Sequence, residues 1–190
     1  MIRSYQDYQD YLNADKIALG KHDKFSFREF IFPDPIWRFQ RLLRKTEYFT
    51  NTSKNFLSKS YSYWLKYRLS KLSLRLGFSI PLNVFGPGLA IVHYGTIVVH
   101  HKARVGKNCR IHVCTNIGAS GGSDKAPVIG DNVYLAPGVK IYGDIKIGNN
   151  IAISANAVVN RSFEEEDVML AGVPAKVIKP IDIKTVIKHL

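Results

Sequence analysis

A ladder with a period of six constrains this chain more than any other feature. Apolar residues recur at Val99, Val105, Ile111 and Ile117, and again at Ile129, Leu135, Ile141, Ile147, Ile153 and Val159. Two places ahead of each rung runs a second row: Ile97, Ala103, Cys109, Thr115, Pro127, Val133, Val139, Ile145, Ile151 and Ala157. Six is neither the period of a helix nor the alternation of a plain strand. It fits a β-helix, whose short straight segments meet at tight corners while each rung stacks on the next coil. Gly, Asn and Asp after the rungs give the corners their backbone freedom, as in Val105-Gly106 and Ile147-Gly148.

Two irregularities stand out. Counting six back from Val99 reaches His93, a polar residue in the apolar row. The ladder also breaks between Ile117 and Ile129, at Gly118-Ala119-Ser120-Gly121-Gly122-Ser123-Asp124-Lys125. Breaks in a repeat are where function is expected.

Upstream of the ladder the pattern is helical. Asp7 to Leu19 reads as a short helix. Asp34 and Pro35 read as cap and first turn of a second, which breaks from Ile31-Phe32-Pro33. Ile36, Trp37, Phe39, Leu42 and Leu43 mark its apolar face, and Arg38, Arg41, Arg44 and Lys45 a basic one. After a turn at Asn51-Thr52-Ser53, a third helix runs from about Lys54 to Leu76. Its apolar side is expected to carry Phe56, Leu57, Tyr61, Trp64, Leu65, Leu69, Leu72 and Leu76, with Gly77 as the stop. Downstream, the ladder is expected to end at Val159, followed by an acidic loop and a short helix within Ile181 to Leu190. The division is therefore a helical region 1–77, a β-helix 78–180 and a tail 181–190. The helices are expected to cover the open end of the β-helix.

The chain of 190 residues carries a net charge of +12. No zinc finger, RNP-like motif or helix-turn-helix accompanies that charge, so no nucleic-acid partner is expected. Phosphorylated ligands or an anionic membrane surface remain as partners, the latter through peripheral association of the basic helices, with plain solubility as the alternative use of the charge. No stretch is apolar enough to span a bilayer. The N-terminus lacks the apolar core of a signal peptide, which points to the cytoplasm, at the inner face of the membrane if the helices bind there. Cys109 and Cys114 read as small buried thiols, and no spacing suggests a metal.

With these features placed, Ile80 to Lys179 resembles the left-handed β-helix acyltransferases of the hexapeptide-repeat superfamily. It looks most like the serine acetyltransferase group and its relatives that acetylate polysaccharides. The carrying residues are the hexads, Gly86-Pro87-Gly88 ahead of His93, Gly95-Thr96-Ile97-Val98-Val99, the loop from Asn116 to Gly122, and Ala171-Gly172-Val173-Pro174-Ala175-Lys176. The resemblance implies a mainly β fold, a homotrimer, and acetyl-CoA as donor in a cleft between neighbouring β-helices. It implies His93 as the base that activates a hydroxyl, since a neutral imidazole can take that proton during attack on a thioester. Donor contacts are expected from Gly118, Ala136, Ala155, Arg161, Lys176 and Lys179. Ala136 and Ala155 are taken as small residues on matching corners. Asn116, Asp124 and Lys125 are expected at the acceptor, whereas His100, His101 and His112 are expected to be surface or lining residues.

The acceptor side departs from the group's pattern. Phe78 and Val92 stand where that group has aspartates, and Lys125 and Ala126 where it has arginine and histidine. A zwitterionic amino acid needs charged partners in a dry pocket, whereas a sugar hydroxyl does not. The expectation is therefore O-acetylation of a saccharide, a surface or capsular polysaccharide or its precursor. Serine O-acetylation in cysteine synthesis is the alternative, and a non-catalytic trimeric scaffold the third reading.

Overall fold

The computed structural model describes residues 1–21 and 34–190. Among the described residues three helices come first: α1 (Tyr5–Ala18), α2 (Pro35–Thr52) and α3 (Phe56–Leu76). Ser4 and Asp7 form a reciprocal capping box on α1. Asp34 caps α2 with Pro35 in its first turn, and Gly77 ends α3 in the left-handed region at φ 77°. The expected break at Ile31-Phe32-Pro33 lies outside the described residues.

Fourteen short strands follow among the described residues. The chain visits three sheets in rotation: sheet 3, then sheet 1, then sheet 2. Sheet 1 is β1-β3-β6-β9-β12: β1 (Phe78–Ser79), β3 (Ile97–Val99), β6 (Thr115–Gly118), β9 (Lys140–Tyr142) and β12 (Val158–Val159). Sheet 2 holds β4 (Arg104–Val105), β7 (Val128–Ile129) and β10 (Lys146–Ile147). Sheet 3 holds β2 (Ala90–Ile91), β5 (Arg110–Ile111), β8 (Tyr134–Leu135), β11 (Ala152–Ile153), β13 (Val168–Gly172) and β14 (Ala175–Pro180). All pairs are parallel except β13 with β14. This is the left-handed parallel β-helix expected, with an N-terminal helical region.

Every rung and every second-row residue named above is buried. Regular coils are eighteen residues long, as Ile97 on Thr115 and Tyr134 on Ala152 show. Asparagines hold one corner: Asn108, Asn132 and Asn150 all have positive φ, and their side-chain amides bond in a column at 2.9 and 2.8 Å. The break after Gly118 is a six-residue insertion, because Asn116 pairs with Lys140. The stack continues past Val159, since Leu170 pairs with Ile153 and Phe163 bridges to Ile147.

The helices are built into the β-helix. Ile36, Phe39, Leu43, Leu69 and Leu76 share one core with Phe78, Ile80 and Leu89. Arg44 is not on a solvated basic face. It is fully buried, because Asp15 and Glu47 neutralise it there. Phe56, Leu57 and Trp64, expected on the apolar side of α3, are exposed; Ser62, Leu65, Leu69 and Leu76 are the buried residues. At the other end, Ile183 and Ile187 of the tail pack on Tyr134 and Ala152. The tail forms one 3-10 turn, Ile183–Thr185.

Candidate active site

His93 is not a rung. Ile91 takes the rung position, fully buried on Ile111, and Val99 follows eight residues later instead of six. The two added residues swell this corner and turn His93 outward to solvent. The sequence count failed because it ran back from Val99 across an insertion. Among the described residues, the one ring contact of His93 is His112 in the next coil, with centroids 6.0 Å apart.

His112 carries more of the site than its sequence context suggested. Its ring lies 5.2 Å from Tyr134, and its Nε2 is buried without a hydrogen-bond partner. Burial, then the charges of Arg110 and His93, depress its pKa to about 4, so it is neutral near pH 7. The ring is thus a neutral imidazole beside an exposed histidine, its Nε2 unpaired but shut from solvent in the single chain.

Each coil passes from sheet 3 to sheet 1 through this corner. The following coils place Ala136-Pro137-Gly138 and then Ser154-Ala155-Asn156 there, stacked by Gly138 N–H to Val113 O and Asn156 N–H to Pro137 O, both 3.0 Å. Ala136 and Ala155 do fall on this corner in successive coils, offset by one position: Leu135 pairs with Ile153, so Ala136 faces Ser154 and Ala155 faces Pro137. Ala136 is buried and Ala155 exposed. Lys176 pairs with Ala171 and stands at the far end of the same corner, while Lys179 pairs with Met169, further along β14. Five strand steps separate β2 from β14, which carries Lys176, about 24 Å at ~4.8 Å per step. Small residues thus recur along this corner between His93 and an exposed lysine.

The remaining predicted residues occupy the next corner, between sheets 1 and 2. Gly118 ends β6 beside Tyr142. Arg161 lies over Phe163 at 5.0 Å. Asp124 is paired with Lys102, and Lys125 with Asp144 at 2.6 Å. Donor atoms of Asp124, His100 and His101 lie within 4.8 Å of one another, with the Lys102 ammonium on the carboxylate. Asn116 lies in β6 between the two corners. A single chain therefore splits the predicted site between two edges of one sheet. Gly86-Pro87-Gly88 belongs to neither edge. It is clamped by Asp15 and Arg44, and a side chain at Gly88 would strike Asn108. Cys109 is buried, its thiol pushed up to about 12 by burial; Cys114 is exposed, at φ 63°, contrary to expectation.

Residues 126–161 match the bacterial transferase hexapeptide (six repeats) family model. The chain as a whole is similar to serine acetyltransferases. It is 37% identical over 100 residues to the serine acetyltransferase of Mycobacterium tuberculosis, covering 52% of this chain and 43% of that relative. Against the Staphylococcus aureus (strain Mu50) enzyme it is 34% identical over 96 residues, covering 50% and 45%. The chain thus spans less than half the length of the curated relatives it matches. Among solved structures, serine acetyltransferase from Brucella abortus superposes with a TM-score of 0.71 at 26% identity, covering 94% of this chain and 72% of that one. The same enzyme in complex with coenzyme A gives 0.73 at 26% identity, covering 94% and 70%.

Proposed function

We propose that the chain is an acetyl-CoA-dependent O-acetyltransferase of the serine acetyltransferase kind. The observation that carries this reading is the corner track: an exposed imidazole at one end, small residues along it and Lys176 at the other. The residues suit a thin donor with a charged terminus, and coenzyme A is bound by the Brucella abortus relative. When bound, the donor supplies an acetyl thioester. His93 takes the acceptor's hydroxyl proton as its oxygen attacks the carbonyl carbon, and returns that proton to the leaving sulfur. His112, neutral beside it, holds a polar atom of the acceptor or of the oxyanion. Lys176 pairs with donor phosphate. Trimerisation would set the second corner of one copy against the first corner of the next, completing the split site.

Serine is the acceptor the comparisons support, ahead of the saccharide placed first on sequence grounds. The saccharide reading keeps one specific support. Val92 precedes His93, Ala126 is buried, and Lys125 is engaged by Asp144, so the charged groups a zwitterion requires are displaced. A thiol-release assay with acetyl-CoA separates the two. Rapid turnover of serine supports the first acceptor, and turnover confined to a sugar panel supports the second. Failure of both, with no binding of coenzyme A, rules out the transferase.

A further inference from the structure

A pocket lies among the helices. It measures about 520 Å³, within the ~300–1,000 Å³ of small-molecule sites. Among the described residues, Arg38, Arg41 and Lys45 line it from α2 and Arg68 from α3. The three on α2 fall at i, i+3 and i+7, which puts them on one face. Aromatic rings of Trp37 and Tyr61 also line it, with Tyr8, Leu42 and Leu65.

Among the described residues, the nearby acidic groups are committed elsewhere. Asp34, which lines the pocket, pairs with Lys21 at 3.0 Å and caps α2. Glu47 is buried against Arg44. The sequence of α3 contains no Asp or Glu. Among the described residues, no ion pair is made by Arg38, Arg41 or Arg68; Arg68 stacks over Trp64 at 4.8 Å and Lys45 over Tyr61 at 5.4 Å. The field reaches a further lining residue: burial raises the Tyr8 phenol, and Lys45 and Arg41 pull it back down. Four cations held around one cavity repel each other until an anion enters. Arginine forks match phosphate oxygens two at a time, and rings beside them suit a sugar or base.

We propose that this pocket, framed by Arg38, Arg41, Lys45 and Arg68 with Trp37 and Tyr61, binds the phosphate or diphosphate group of a ring-bearing molecule. The inference does not rest on the acetyltransferase reading. Two sources share that chemistry: a soluble phosphorylated compound and a phospholipid headgroup. Exposed Tyr63, Trp64 and Tyr67, with Lys66 and Lys71 over two of the rings, form a flank through which a membrane surface would present the second.

The test is calorimetric titration of the whole chain with inorganic pyrophosphate at low ionic strength. One saturable site per chain is expected, weakened by salt. Arg38→Gln/Arg41→Gln should weaken it at least about tenfold with the melting temperature unchanged, since both side chains are exposed. Arg68→Gln, on a different helix, should weaken it also. Lys184→Gln/Lys188→Gln on the tail should not. In a second arm the protein is sedimented with phosphatidylcholine vesicles with and without phosphatidic acid. Capture by the acidic vesicles, reversed by pyrophosphate, assigns the headgroup; a supernatant protein that still binds pyrophosphate assigns a soluble phosphate. No saturable binding, or binding that survives both Arg variants, overturns the proposal.

Discussion

Arg44 and Asp15 form a buried bidentate ion pair, Nε to Oδ2 at 2.8 Å and Nη2 to Oδ1 at 3.1 Å. It joins α1 and α2 to the first coil. The guanidinium also donates to the carbonyls of Phe85 and Gly86, and Asp15 accepts from the N–H groups of Gly88 and Leu89. Burial works against the Arg44 charge, but Asp15 and Glu47 more than offset it and hold its pKa above the ordinary value. Arg44→Met leaves two buried carboxylates uncompensated and should cost about 3–5 kcal/mol in urea unfolding. Adding Asp15→Asn should recover part of that loss. A single-variant loss under about 1 kcal/mol would show the cluster to be incidental.

Lys176 marks the far end of the corner track. A phosphate contact remote from the thioester is made equally in ground and transition states. Lys176→Ala should raise the KM for acetyl-CoA about tenfold or more, with kcat little changed. Steady-state kinetics at saturating acceptor read both terms, and an unchanged KM would place Lys176 in solvent.

His112 makes stability fall in acid. Its folded pKa lies below the ordinary value of 6.5, so the unfolded chain binds more protons between about pH 6.5 and pH 4. Stability from the neutral ring is present above that window and is lost as pH falls through it. His189 shares the direction, with burial and Arg110 as causes. The drop in melting temperature from pH 7 to pH 4.5 should be smaller in His112→Asn than in the parent. An equal drop would assign the acid sensitivity to other groups.

The split site yields a complementation test. His93→Ala and a deletion of Gly121 to Asp124 should each be inactive, since they disable different corners. Subunits of the two refolded together should regain activity that neither has alone. Mixtures that stay inactive would confine the site to one copy.

The coils were legible because a β-helix core repeats with the chain itself, so each inward residue announces its successor. Legibility ended where the period slipped. The two extra residues between Ile91 and Val99 moved His93 from an assumed rung to an outward corner, and a fixed count cannot see such a slip. Arg44 was misread because helical spacing places it beside Arg41, while its partner Asp15 lies far away in sequence. Exposed Trp64 and Phe56 show the same limit: α3 packs through Leu65 and Leu69, leaving large rings outside that no apolar tally distinguishes. His112 was undervalued because its contacts with His93 and Tyr134, and the burial of its Nε2, come from neighbouring coils of the stack.

The direct test of the account is acetyl transfer by His93→Ala beside the parent, with serine and a sugar panel as acceptors. Losing a general base should lower kcat about 10²–10⁴-fold. Binding of coenzyme A, followed by calorimetry, should persist, because the track beyond His112 is untouched. Turnover within a factor of about two of the parent would contradict His93 as the base.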